Sequence, residues 1–441
     1  MQQIDSTAVT TALPSIADAL QVSTLSLHSS ITVYLLALGI FLPISGWLAD
    51  RVGAQQLFAC AIGIFTLASL LCAAASNLPT LVIARLVQGF GGALMLPTAR
   101  LIIVRSVPRA ELVSAMLLMS MPTAIGPTIG PLVGGFIVSI SSWRWIFWIN
   151  LPFGIAGIVL TLLFIEPVPP GESKPFDTIG FILSGCGIGA VIFGFDLFSD
   201  GKGLSTLLLS IVGTVVLVAY VFYARRHRHA ILDLTLFRYP TFRSSLLGGT
   251  LFRMGFGAIP FMLPLLMQQI FGYTPLQSGT ITFVSAIGAF GMRTMAKRIL
   301  RRFGFRTVLC WNAVIASASI ALCAFFTPQT APALIMVVIL LGGVFRALQF
   351  SSVNTLAFAD VDPSEMSHAT TLSQMAQRLA QSMGVAGAAA LLRLCSGQSD
   401  TLTAKAFSTS FLVVGFFSAL SFFSFTMIPK TAGDVLAGRA S

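Results

Sequence analysis

Charge is what this sequence has least of. Only 9% of its 441 residues are Asp, Glu, Lys or Arg, against roughly 25% in a soluble globular chain. So few charges cannot clothe a water-facing surface when 56% of the residues are hydrophobic. A soluble protein is excluded, and lipid must be the solvent. Long polar stretches are missing too. The longest link, RRHRHAILDLTLFRYPTFRSS at 225–245, leaves no room for a soluble catalytic domain. No G-x-x-x-x-G-K-[ST], H-E-x-x-H or G-x-S-x-G occurs, so the chain shows no nucleotide site, metalloprotease helix or nucleophile elbow. An enzyme is not indicated, and no cofactor or metal is expected. Cysteines 60, 72, 186, 310, 323 and 395 stand singly without C-x-x-C spacing, which excludes a disulfide framework. A cleavable leader is not visible either.

What is present is a series of apolar runs. Fourteen segments are predicted as membrane-spanning helices, at 1–20, 27–48, 55–75, 79–104, 111–139, 143–165, 178–198, 204–224, 244–270, 275–296, 305–326, 332–358, 368–393 and 406–428. They are continuous and about twice the length of a barrel strand, which alternates over ~10 residues. Many carry Gly and Pro, which helices in lipid tolerate.

The net charge of +11 sits in the short links, which argues against nucleic acid as a partner. With the N-terminus in the cytoplasm, the inner links hold Arg51, Arg100, Arg105, Arg109, Lys174, Arg225, Arg226, Arg228, Arg238, Arg243, Arg293, Lys297, Arg298, Arg301, Arg302, Arg306, Lys430 and Arg439. Only Arg144, Lys202, Arg393 and Lys405 fall outside, and Arg85, Arg253, Arg346 and Arg378 fall within spans. This asymmetry places both termini in the cytoplasm.

Three local patterns carry more information. The link GWLADRVG holds Gly46, Asp50, Arg51 and Gly53, and Arg302-Phe303-Gly304 echoes Arg51-Val52-Gly53 after the tenth span. That echo predicts six spans recurring as spans 9–14, with two inserted between. The domains would be 1–165, 166–243 and 244–441. Span 5 contains AIGPTIGPLVGG, in which Gly126-Pro127, Gly130-Pro131 and Gly134-Gly135 cut a groove for a neighbouring helix. Span 4 begins LVIARLVQGFGG, placing Arg85 and Gln88 among apolar residues.

Together with IDSTAVTTALPSI and SWRWIFWINLPFGI, these motifs resemble the fourteen-span drug:proton antiporter branch of the major facilitator superfamily. The resemblance covers essentially the whole chain. It implies an all-α integral membrane protein with two six-helix bundles plus two inserted helices. It also implies a monomeric secondary transporter in the inner (plasma) membrane that exports drug-like or amphiphilic small molecules while protons run inward. Export of an endogenous metabolite, an organic acid or metal chelate, is the alternative cargo. By the same resemblance, Asp5 matches the acid of the first-span motif, with Ile4 before it and Thr10 where Asn is usual. Gly46, Asp50, Arg51 and Gly53 match a loop that latches the two halves, although Ala54-Gln55-Gln56 replaces the usual basic residues. Arg85 matches the fourth-span motif, and Gly126 to Gly135 match the antiporter motif. The family carries about ten more apolar residues ahead of the acid, so the chain is expected to begin partway through its first helix.

An isolated charge at the bilayer centre costs about 2.5–3.5 kcal/mol on insertion scales. Asp5, Arg85, Arg253 and Arg346 are therefore the candidate cavity residues, with Arg378 on a seam of glutamines. Asp5 and Arg253 are expected on opposite walls of one cavity, unless a permanent Asp5–Arg ion pair simply ties two helices together. Asp196 is the nearest rival carboxylate, since His28, His227, His229 and His368 fall near span ends or in links.

Overall fold

The structure, a computed structural model, describes residues 1–108, 111–167, 175–199, 203–227, 230–362, 365–397, 402–429 and 432–433. Of the basic residues counted above, Arg109, Lys174, Lys202, Arg228, Lys430 and Arg439 lie outside it, as does His229. So do the side chains of Arg293 and Asp196.

Every one of the fourteen apolar segments coincides with helix, and no strand occurs among the described residues. The first six segments comprise α1 (Gln2–Leu20), α2 (His28–Phe41) with α3 (Ile44–Val52), α4 (Ala54–Ala74), α5 (Leu78–Ser106), α6 (Leu112–Ile140), and α7 (Trp145–Trp148) with α8 (Asn150–Phe164). Two further helices follow, α9 (Thr178–Ser199) and α10 (Gly203–Arg226). The last six segments are α11 (Pro240–Leu265), α12 (Pro275–Phe303), α13 (Phe305–Leu322), α14 (Pro332–Ala357), α15 (Met366–Ser396), and α16 (Ala404–Ala419) with α17 (Ser421–Thr426). Among the described residues, nine helices are long and apolar enough to cross a membrane unaided. Taken together, α2 and α3, which bend by 59° at the break between them, have the length and apolar composition of a tenth.

Local chemistry places the helix ends. Asn77 accepts a hydrogen bond from the Thr80 N–H ahead of α5, with Pro79 in the first turn. Thr274 and Gln277 form a capping box on α12. Gly53 (φ 95°, ψ 139°) separates α3 from α4, and Gly304 (φ 77°, ψ 159°) separates α12 from α13. The two glycines of the echoed motif thus share a conformation that side-chain-bearing residues avoid. Pro260 and Pro264 remove donors from α11, and the helix widens into a π-turn at Leu266–Ile270.

The two ends of the bundle differ. Away from the basic links, Gln268 donates to the Thr11 carbonyl at 2.9 Å and Gln269 donates to Thr24 Oγ1 at 2.7 Å, tying the π-turn after α11 to α1 and to the link that follows it. His28 is buried there against Phe261, deeper than its place at a span end predicts. Along the sides, α2 packs on α15, and α6 packs on both α1 and α12. At the basic end lies a cavity of about 1520 Å³, bordered by Trp47, Asp50, Arg100, Asp177, Arg225 and His368 among others.

Candidate functional site

Glycine decides how the polar centre of the first bundle is assembled. A Cβ on Gly89 would stand 2.7 Å from the Tyr34 carbonyl of α2, and one on Gly91 would stand 2.8 Å from the Phe65 amide of α4. Both contacts are tighter than side-chain carbons allow, so these glycines let α5 settle between its neighbours. That approach carries Arg85 and Gln88 to the middle of the bundle, where both are fully buried.

There they meet Asp5, which is 2% exposed. Arg85 Nη1 donates to Asp5 Oδ2 at 2.5 Å and to Gln88 Oε1 at 2.6 Å. Gln88 Nε2 and Asn150 Nδ2 donate to Asp5 Oδ1 at 3.1 and 3.0 Å. The same two amides donate to Ser69 Oγ at 2.8 and 3.3 Å. The Arg85 guanidinium also stacks 4.0 Å from the Tyr34 ring centroid, a cation–π contact that offsets part of its desolvation. Side chains from five helices therefore meet in this centre, and α5 and α8 supply the donors to the carboxylate. Arg85 Nε and Nη2 have no partner, so the pair is held by a single guanidinium nitrogen.

The arginine that pairs with Asp5 is Arg85 and not Arg253. Arg253 Nη2 donates instead to Asn354 Oδ1 at 2.5 Å, and its guanidinium lies 5.6 Å from the Phe350 centroid, both on α14. Arg346 lies two turns before Asn354 on the same helix, beside a small void in the second bundle.

The glycines of α6 serve two neighbours. Carbons added at Gly126, Gly130 and Gly134 would meet Gln3, Thr7 and Ala8 of α1, the last with its carbonyl at 2.5 Å. One at Gly135 would stand 3.1 Å from the Leu276 Cα of α12. Reciprocally, Gly279 of α12 faces the Pro131 backbone. The regular Gly-Pro pattern thus seats the acid-bearing helix on one side and the second bundle on the other. Pro127 lies on the exposed face.

At GWLADRVG the ion pair is made within the first bundle. Asp50 Oδ1 accepts from Arg105 Nη2 at 2.6 Å, a partner on α5 of its own bundle, and Arg51 lies over Trp47. Asp50 also borders the basic-end cavity. A Cβ at Gly46 would meet nothing within 4 Å. Gln55, standing where the resemblance expects a basic residue, is buried and donates to the carbonyls of Thr161 and Ile165 at 3.3 and 2.6 Å. It caps the end of α8, a job an amide does without desolvating a charge.

Sequence reasoning missed Asn150, Ser69 and Tyr34 as members of the centre. Asn150 carried a signal, being the lone amide in IFWINLPFGI. Ser69 and Tyr34 carried none.

The major facilitator superfamily model matches residues 1–385 and, in a second match, 245–439. "Putative multidrug resistance protein MdtD" of Escherichia coli O157:H7 (strain EC4115 / EHEC) is 37% identical over 441 residues, covering 98% of this chain and 92% of that protein. Among solved structures, a POT family transporter in complex with 5-aminolevulinic acid has a TM-score of 0.71 at 15% identity, covering 96% of this chain and 92% of its own. The xylose transporter XylE from E. coli, in a partially occluded inward-open conformation, has a TM-score of 0.62 at 14% identity, covering 98% and 95%. A helical bundle with a buried ion pair, matched along its length in this way, belongs to the major facilitator superfamily and is a multi-pass membrane transporter, not an enzyme.

Proposed function

We propose that this transporter exports drug-like or amphiphilic small molecules by alternating access, driven by protons moving inward through Asp5. The observation that carries this reading is the carboxylate buried in the first bundle with one charged partner, Arg85, held by a single nitrogen. A conformational change that draws α5 from α1 removes that partner, and the acid then takes a proton. Return of Arg85 expels it. The multidrug-resistance name of the 37%-identical relative supports the cargo class. Fourteen crossings are proposed, in bundles 1–165 and 244–441 with an inserted pair at 166–243. The basic links and both termini face the cytoplasm, and the protein works as a monomer in the inner membrane. Ties between α1 and α11 at one end, with the cavity at the other, support an inward-open state.

The test is flux in proteoliposomes. Uptake of a lipophilic dye is expected only under an imposed pH gradient, and a membrane-impermeant maleimide should reach a cysteine placed at Ile231 only from the cytoplasmic side. Gradient-independent flux would mean a passive pore.

Asp50→Asn probes the loop motif. Its ion pair is partly exposed, 29% for Arg105 and 36% for Asp50, so its loss should cost less than about 1 kcal/mol. Folded yield should hold while flux falls severalfold, because the residue borders the cavity that must close. Unchanged flux would leave Asp50 an ordinary surface charge.

A further inference from the structure

We propose that the cargo is an organic anion, an amphiphilic molecule bearing a carboxylate or sulfonate, recognised by guanidinium groups along the seam of α11 and α14. This rests on the transport reading above and adds the charge of what is moved.

The argument is one of charge balance. Helices α11 to α17 contain no Asp or Glu. The acids of this half, Asp360, Asp362, Glu365, Asp400 and Asp434, all lie in links or the tail. Yet Arg253, Arg346 and Arg378 stand well inside their helices. Arg253 is 1% exposed, its single hydrogen bond goes to the neutral Asn354, and its Nε has no partner. Arg346 and Arg378 are half-buried and meet no carboxylate or hydrogen-bond acceptor among the described residues. Asp5 is the only buried carboxylate among those residues, and Arg85, Gln88 and Asn150 already occupy it.

A guanidinium surrounded by apolar groups needs an anion. Where the protein holds a cation at membrane depth and supplies none, the counter-charge comes with a ligand. The surroundings suit an amphiphile. Phe252, Phe256 and Phe350 cluster beside Arg253, with centroids 4.7 to 6.5 Å apart. Arg346 borders a void of about 50 Å³ together with Phe256, Pro260, Ser285 and Ser319. That space takes a charged head group, and the planar fork of an arginine matches a carboxylate or sulfonate. A cationic molecule would add charge of the sign already in excess.

The experiment uses the full chain in nanodiscs with no pH gradient, so a failure of proton coupling in the flux test leaves it unaffected. The probe is tritiated 1-naphthoate, with 1-naphthylmethylammonium and sodium chloride as competitors. Saturable naphthoate binding is expected, displaced by neither competitor at equal concentration. Arg346→Gln should weaken it at least tenfold, as loss of a charged hydrogen bond does, and Arg346→Lys should weaken it less. Saturable binding of the ammonium but not of naphthoate would overturn the proposal. So would displacement by equimolar chloride, which would mark a resident-ion site, or unchanged affinity in the Gln variants at 253, 346 and 378. The comparison of the two naphthalenes in the unmodified protein decides the matter even if a variant does not fold.

Discussion

Asp5→Asn is expected to abolish pH-driven accumulation of substrate, by at least a hundredfold in initial rate, while energy-independent exchange across the membrane continues. Asparagine keeps the outline of the side chain and an oxygen that accepts from Arg85 or Asn150, so the packing of α1 on α6 should survive. What it loses is the proton. Among the described residues no other carboxylate is buried, and a group that carries a proton through apolar surroundings must change charge there. Arg85 is protonated at any working pH and cannot take over. The measurement is uphill uptake against counterflow exchange in the same proteoliposomes. Accumulation at the unmodified rate would place the proton carrier elsewhere and leave Asp5 a structural ion-pair partner.

Arg85→Gln should have the largest effect on stability. It strands a buried carboxylate whose remaining partners are neutral amides, and removing one member of a buried ion pair costs about 3–5 kcal/mol. The stacked Tyr34 ring loses its cation as well. Asp5→Asn on that background should recover most of the loss, because two neutral side chains can hydrogen-bond where one bare charge cannot. The double-mutant cycle therefore predicts strong coupling between positions 80 residues apart. Unfolding in nanodiscs followed by tryptophan fluorescence reads it. Additive losses would show that the two groups do not act as a pair.

The sequence by itself determined the class, the helices and most of their ends. Apolar runs of this length have no soluble alternative, and Asn77, Thr274, Gly53 and Gly304 are stop and start signals that act within a few residues. The echo of Gly53 in Gly304 was legible as well, because a sharp turn between two helices favours a glycine at positive φ in both places. Partnerships were another matter. Asp5 could have faced any of four arginines within the spans, and Arg85 was chosen by the close approach that Gly89 and Gly91 permit between α5, α2 and α4. Asp50 turned to Arg105 and Gln55 to the end of α8 for the same reason, that the nearest suitable group lies far off in the chain. A helix whose outer face meets lipid is apolar all round, so its pattern does not say which side points inward. Only the packing of helix against helix supplies that direction, and with it the centre that holds Asp5.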